Sequence, residues 1–190
     1  MDGLTTENYA NPWEILSSET KMDTPWVTVK FHKVLNPSKQ EGIYGVTYFK
    51  NLAIGILPLD ENLNTWIVGQ YRFPTDCYSW EMPEGGGKLD IDPLISAKRE
   101  LKEETGIEAA NWRLIQKLHL SNSSTDEEAL LYVATGLSFG ESEPEPSEQL
   151  IIKKIHFDEM YQMVCDGQIT DAMTVAAALR VKLLLLEGKL

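Results

Sequence analysis

The chain has 190 residues, of which 43% are hydrophobic and 24% are charged, the composition of a globular rather than a disordered protein. Seventeen Lys and Arg against 29 Asp and Glu give a net charge of −12, which disfavours binding to nucleic acid or to an anionic membrane. An anionic substrate would therefore need a local source of positive charge.

Cysteine content and segment hydrophobicity bear on where the protein works. Cys77 and Cys165 are the only cysteines, and neither belongs to a CxxC or Cys/His cluster, which is typical of a reducing compartment. The first ten residues contain no basic segment followed by an apolar one. The longest apolar run, residues 129–134, is too short to cross a bilayer. We expect a cytoplasmic protein that does not bind membranes.

Predicted strands dominate the first part of the chain, and strands alternate with helices in the rest. After a loose N-terminal tail, apolar runs separated by turn residues predict strands at residues 26–34, 43–49, 52–59, 65–71 and 78–82. Further strands are predicted at residues 112–119, 129–135 and 150–157, with helices at 158–167 and 171–186. This order indicates an α+β protein with a β extension at residues 1–50 and a mixed domain at residues 51–190.

The clearest predicted helix begins after the glycine-rich stretch at residues 85–87. Asp92 is suited to the N-cap, Pro93 to the first helical position, and Gly106 to the left-handed position after the last turn. Its inner face consists of Leu94, Ala97, Leu101 and Thr105.

Three glutamates of this helix share one face. Glu100, Glu103 and Glu104 are spaced i, i+3 and i+4, and their carboxylates repel one another unless cations lie between them. Such hard oxygen ligands suit Mg²⁺ or Mn²⁺. The alternative is a solvated charged face on which the glutamates pair with Lys98, Arg99 and Lys102.

The glutamates belong to a longer pattern. Residues 99–107 read RELKEETGI and follow Gly85 at the spacing of the Nudix box, so the chain resembles a Nudix hydrolase. Residues 68–74 (VGQYRFP) and 79–86 (SWEMPEGG) resemble the ADP-ribose pyrophosphatase and nucleoside-diphosphate-sugar branch. Residues 163–174 are also similar to that branch, and residues 121–127 lie where it has a Ser-Pro-Gly-x-x-x-Glu loop.

The resemblance implies a fold and an activity. The fold is a mixed β-sheet between helices (α/β/α), with an N-terminal extension that exchanges between two subunits of a homodimer. The activity is Mg²⁺-dependent hydrolysis of a nucleoside diphosphate sugar, such as ADP-ribose or GDP-mannose, to a nucleoside monophosphate and a sugar phosphate. Mn²⁺ is an alternative metal, and nucleic acid is not an expected partner.

The resemblance also implies roles for individual residues. Glu100, Glu103 and Glu104 are expected to bind metal together with the backbone carbonyl of Glu84, and Arg99 to fix the carboxylates. Substrate contacts are expected from three further side chains, those of Arg72, Trp26 and Glu127. Arg72 would contact phosphate or else pair with an acidic neighbour, and Trp26 would stack on the base or else pack in the core or an interface.

The general base is expected in the acidic loop at residues 140–148. Counting back from the following strand favours Glu148 or Glu145, and Glu127 is a further candidate. Most carboxylates of such a loop are simply solvated.

Two departures from the family pattern affect details of the expected activity. Ile91 occupies the position where the box has a glutamate, which leaves the number of metals open. Asn122 and Ser123 replace a Pro and a Gly, which weakens strict ADP-ribose specificity.

Two other functions are possible: a nucleoside triphosphate pyrophosphohydrolase and a catalytically silent ligand-sensing domain. The long extension and the QYRFP segment disfavour the first. The complete glutamate triplet disfavours the second.

Overall fold

The computed structural model describes residues 10–142 and 149–190, which fall into two compact units. The first unit comprises the described part of Met1–Lys50 together with Ser121–Asp126. The second comprises Asn51–Leu120 and the described part of Glu127–Leu190. The sequence did not indicate that Ser121–Asp126 belongs to the first unit.

The first unit is a three-stranded antiparallel sheet in the order β1-β2-β3, with β1 at Glu14–Asp23, β2 at Val27–Leu35 and β3 at Glu41–Phe49. Strand β1 was not predicted, because all its residues are exposed and it is held by pairing with β2 rather than by burial. Within the same unit, the backbone N–H of Phe49 donates to Asp126 Oδ1 over 2.7 Å.

The described part of the second unit contains two sheets and three helices. Its strands are β4 (Asn51–Pro58), β5 (Asn64–Arg72), β6 (Cys77–Glu81), β7 (Glu84–Lys88), β8 (Ile107–His119), β9 (Glu128–Phe139) and β10 (Ile151–His156). Its helices are α1 (Pro93–Thr105), α2 (Phe157–Cys165) and α3 (Ala172–Leu186). The sheet orders are β7-β4-β9-β8 and β10-β5-β6, and β4 pairs with β9 in parallel.

The four-stranded sheet lies between helices. On one face, Ile54 and Tyr132 belong to a buried cluster that includes Leu101 of α1. On the other face, Leu131 belongs to a cluster with residues of α2 and α3, among them Phe157. Because β9 is covered on both faces, its centre is a continuous apolar run rather than an alternating one. The predicted α+β fold, a mixed sheet sandwiched between helices, is confirmed.

Helix α1 has the predicted ends. The side chain of Asp92 accepts a hydrogen bond from the backbone N–H of Leu94 over 3.0 Å. Gly106 has φ 70°, and a Cβ there would lie 2.4 Å from the carbonyl oxygen of Gly140. Both the left-handed backbone and the close approach therefore require glycine at this position.

The glycine-rich stretch before α1 is a strand, which the sequence did not predict. Strand β7 pairs antiparallel with β4, and Gly85 lies opposite Ile54. Because glycine has no side chain, three glycines in a row show none of the alternation between polar and apolar residues that predicts a strand. The strand instead forms through its backbone hydrogen bonds to β4. Within the described ranges, no helix is long and apolar enough to cross a membrane.

Candidate active site

The box glutamates lie on the side of α1 that faces β7. Glu104 is 2% exposed and Glu100 is 9% exposed, whereas Glu103 is half-buried. A Cβ at Gly85 would lie 2.3 Å from Glu100 Cδ, so the carboxylate of Glu100 occupies the space of the missing side chain. Glycine at position 85 therefore allows the helix carboxylate to lie against the strand.

Arg99 connects two of these carboxylates. Its Nη1 donates to Glu103 Oε2 and its Nη2 to Glu100 Oε1, each over 2.6 Å. Nη2 also donates to the backbone carbonyl of Gly86 over 2.9 Å. Both carboxylates thus bind one guanidinium, which is itself attached to strand β7.

Glu104 is joined to the same strand by a different contact. The backbone N–H of Glu84 donates to Glu104 Oε2 over 3.0 Å. This bond places the third carboxylate beside the backbone of Glu84, whose carbonyl was predicted to complete a metal site.

The oxygen-rich donor set fits a hard divalent cation in its chemistry. In residues 10–142 and 149–190, however, no three His, Cys, Asp or Glu side chains are gathered closely enough to hold a metal ion. Glu100 and Glu103 are each ion-paired with Arg99.

A cavity of about 410 Å³ opens beside β7. It is lined by Arg72, Pro74, Thr75, Cys77, Ser79, Glu81, Glu84, Thr170, Asp171 and Ala172. The cavity is therefore formed by strands β5, β6 and β7 and by the start of α3. At the start of α3, the Asp171 side chain accepts a hydrogen bond from the backbone N–H of Thr174.

Arg72 is bound by two carboxylates at the edge of this cavity. Its Nη2 lies 2.5 Å from Glu81 Oε2 and 2.9 Å from Glu84 Oε1, and its Nε donates to both oxygens of Glu81. The Glu81 side chain is 3% exposed. Hydrogen bonds to Glu81 raise the pKa of Arg72 above its ordinary value, so Arg72 is cationic at any physiological pH.

Glu84 has an unusual electrostatic environment. Burial, with a further contribution from the carboxylates of Asp171, Glu81 and Glu104, raises its pKa well above the usual range despite the opposing effect of Arg72. Its Oε2 is buried and has no hydrogen-bond partner in the described part of the chain. A ligand atom that forms a hydrogen bond with this oxygen would therefore stabilise the complex.

The other predicted residues have different locations. Trp26, 68% exposed, lies between β1 and β2 in the first unit. Glu127 is half-buried just before β9, and Ile91 is 36% exposed between β7 and α1. Glu145 and Glu148 lie outside the described residues.

Sequence reasoning missed Glu81, and it took Asp171 only as the start of a helix. The available signal for Glu81 was a charged residue at the end of an apolar strand, which requires a partner when it is buried. Nothing in the local sequence of Asp171 indicates that it lies at a cavity.

Comparison with known proteins identifies the family. The sequence profile of the NUDIX domain matches residues 49–180. The chain is 32% identical over 134 residues to an ADP-ribose pyrophosphatase of Mycobacterium tuberculosis, which covers 68% of this chain and 64% of that protein. It is also 32% identical over 127 residues to a methanol dehydrogenase activator of Bacillus methanolicus, covering 66% of this chain and 69% of that protein.

The fold is likewise found among solved structures. A crystal structure of an ADP compounds hydrolase superposes with a TM-score of 0.82 at 22% identity, covering 94% of this chain and 97% of that one. The chain belongs to the NUDIX domain family. Hydrolases of this family generally use divalent metal ions. The match spans slightly less than two thirds of the length of the mycobacterial relative.

Proposed function

We propose that the protein hydrolyses the pyrophosphate bond of nucleoside diphosphate sugars, releasing a nucleoside monophosphate and a sugar phosphate. The observation that carries this proposal is the arrangement of Glu100, Glu103 and Glu104 against the glycine strand β7. The names of the relatives support the substrate class, since two of them are ADP-ribose pyrophosphatases.

A divalent cation, which we take to be Mg²⁺ with Mn²⁺ as an alternative, would neutralise the diphosphate in a protein of charge −12. Glu100, Glu103, Glu104 and the carbonyl of Glu84 would hold it. Arg99 would keep the carboxylates of α1 in place, as its bonds to Glu103 and Gly86 do here. A separate carboxylate, Glu148 or else Glu145 or Glu127, would take the proton of the attacking water, since ligated carboxylates are poor bases.

The proposal is tested with a panel of nucleotide conjugates in the presence of Mg²⁺. Products are detected as phosphate released by an added phosphatase, which acts on the monoester products but not on the intact diesters. We expect turnover of ADP-ribose or GDP-mannose and none without divalent metal. Nucleoside triphosphates are assayed with inorganic pyrophosphatase in place of the phosphatase, and turnover of triphosphates alone would instead establish the triphosphate pyrophosphohydrolase.

We propose in addition that the protein is a homodimer. Support comes from the first unit, which exposes large apolar side chains, among them Ile15 (61%), Trp26 (68%) and Ile43 (75%). Multi-angle light scattering at micromolar concentration should give twice the chain mass. A fully active monomer would contradict the dimer.

Trp26 would stack on the nucleobase, so Trp26→Ala should raise KM more than it lowers kcat.

We place the protein in the cytoplasm, without a membrane or nucleic-acid partner. This placement is supported by the two cysteines, both exposed and unbridged, and by the strongly negative charge. Fractionation of the source cells is the direct test.

A further inference from the structure

The cavity beside β7 is lined by polar groups to which the proposed function assigns no role. Three carboxylates line it, those of Glu81, Glu84 and Asp171, together with the hydroxyls of Thr75, Ser79 and Thr170. Arg72 is the only cation among these lining residues. The proposed function leaves the role of the remaining groups open.

The charge balance of the cavity disfavours a phosphate as its occupant. The Nε and Nη2 atoms of Arg72 already donate to Glu81 and Glu84. Three carboxylates outnumber this one guanidinium, and a phosphate oxygen only accepts hydrogen bonds, as an ionised carboxylate does. A metal cation is disfavoured as well, because it would lie beside the guanidinium, whose Nη2 is 2.9 Å from Glu84 Oε1.

Glu84 defines the kind of ligand that fits. Its Oε1 accepts from Arg72, whereas its buried Oε2 has no partner within residues 10–142 and 149–190. A hydroxyl group both donates and accepts hydrogen bonds, so it can pair with this oxygen whether the carboxyl group is ionised or protonated. Neither a cation nor a phosphate has this property.

The backbone of Glu84 connects the cavity to the box carboxylates. Its N–H donates to Glu104 Oε2, while its side chain lines the cavity. A group bound in the cavity therefore lies next to the carboxylates at which the pyrophosphate would be cleaved. The diphosphate carries two groups, the nucleoside and the sugar, and this is a position for one of them.

We propose that this cavity binds the hydroxyl-rich sugar portion of the substrate, and that Glu84 determines specificity by pairing with a sugar hydroxyl. The inference rests on the proposed function and adds to it the part of the substrate that the enzyme selects. The side chain of Glu84 thereby has a role that is distinct from that of its backbone carbonyl.

The test compares two substrates that share ADP but differ in the attached group. One is ADP-ribose and the other is ADP esterified with a simple alkyl alcohol, which lacks hydroxyls. Glu84→Met keeps the side-chain length without polar atoms, and Glu84→Gln keeps both donor and acceptor. Losing a hydrogen bond to a charged group corresponds to a change of roughly 10- to 100-fold.

We therefore expect Glu84→Met to lower the ratio of kcat/KM for the sugar substrate to kcat/KM for the alkyl ester by about 10- to 100-fold. Glu84→Gln should retain most of the wild-type ratio. Glu159→Gln, a change at an exposed carboxylate of α2 that does not line the cavity, is the matched control and should not alter the ratio. An unchanged ratio in Glu84→Met overturns the inference.

A second measurement needs no variant and covers the case in which Glu84→Met does not fold. Wild-type enzyme is assayed with ADP-ribose analogues that each lack one hydroxyl of the terminal sugar. At least one of them should lose about tenfold or more in kcat/KM. Equal turnover of all analogues overturns the inference alone, whereas no turnover of any diphosphate sugar overturns the proposed function.

Discussion

The carboxylate of Glu104 accepts a hydrogen bond from the backbone N–H of Glu84 over 3.0 Å, and so joins helix α1 to strand β7. Glu104 is almost wholly buried, and this bond to a backbone group contributes to its orientation. A metal bound by this residue would therefore have a fixed position relative to the strand and to the cavity beside it.

Glu104→Gln should lower kcat by several orders of magnitude while the protein remains folded. The amide has nearly the shape of the carboxylate but lacks the negative charge that binds and positions a divalent cation. Steady-state kinetics over a range of Mg²⁺ concentrations measures this effect, with circular dichroism as the check on folding. Glu159→Gln is the control, and near-normal turnover of Glu104→Gln would rule out the proposed metal site.

Gly85→Ala should reduce activity and weaken metal binding, because the new Cβ would lie 2.3 Å from Glu100 Cδ and displace that carboxylate. Gly86→Ala is a matched control, since the nearest atom to its Cβ would be 3.8 Å away. Isothermal titration with Mn²⁺ and the Mg²⁺ dependence of the rate compare the two variants. Equal effects of both substitutions would show that the close approach at Gly85 does not matter.

Removing the charge of Glu84 should stabilise the metal-free protein increasingly as the pH rises. The pKa of Glu84 is raised in the folded state from a reference value of 4.5, so above that value the unfolded chain releases a proton that the folded chain retains. The free energy of unfolding of the wild type therefore falls as the pH rises through this range. The Glu84→Gln variant lacks this decrease.

Urea unfolding of wild type and Glu84→Gln between pH 5 and pH 8, in the presence of EDTA, measures the difference between their free energies of unfolding. Because the other ionisable groups are shared, most of their contributions cancel in the difference. The free energy of unfolding of the variant relative to wild type should increase with pH. A constant difference would mean that Glu84 is not perturbed by its surroundings.

Glu148→Gln, or failing that Glu145→Gln, should lower kcat strongly with little change in KM. A general base contributes about 10²- to 10⁴-fold to the rate, and it does not need to strengthen ground-state binding. Rates measured for each Glu→Gln change in the acidic loop test this prediction. If every variant keeps more than about a tenth of wild-type kcat, the base lies elsewhere and Glu127 is the next residue to change.

Local chemistry made helix α1 predictable. The side chain of Asp92 binds the first turn, and Gly106 adopts the left-handed conformation that ends the helix. Both effects involve only neighbours in the sequence. The spacing of the three glutamates is equally local, and so their shared face could be predicted before the fold was known.

Features that depend on distant neighbours were not predictable in this way. Strand β7 contains three glycines and exists because it pairs with β4. The ion pair of Arg72 with the buried Glu81 requires the antiparallel pairing of β5 with β6, and Asp171 reaches the cavity only through the placement of α3. Each of these depends on partners that periodicity within one segment does not identify.

The segment Ser121–Asp126, which belongs to the first unit although β8 and β9 flank it, has a consequence for biosynthesis. The ribosome releases β1, β2 and β3 long before it makes Ser124, whose carbonyl accepts from the N–H of Thr47 over 3.0 Å. The N-terminal sheet therefore lacks its backbone hydrogen bonds to this segment until the chain beyond β8 has emerged from the ribosome. We expect the backbone of β3 to be less protected from hydrogen exchange in nascent chains stalled before residue 121 emerges than in those from which residue 126 has emerged.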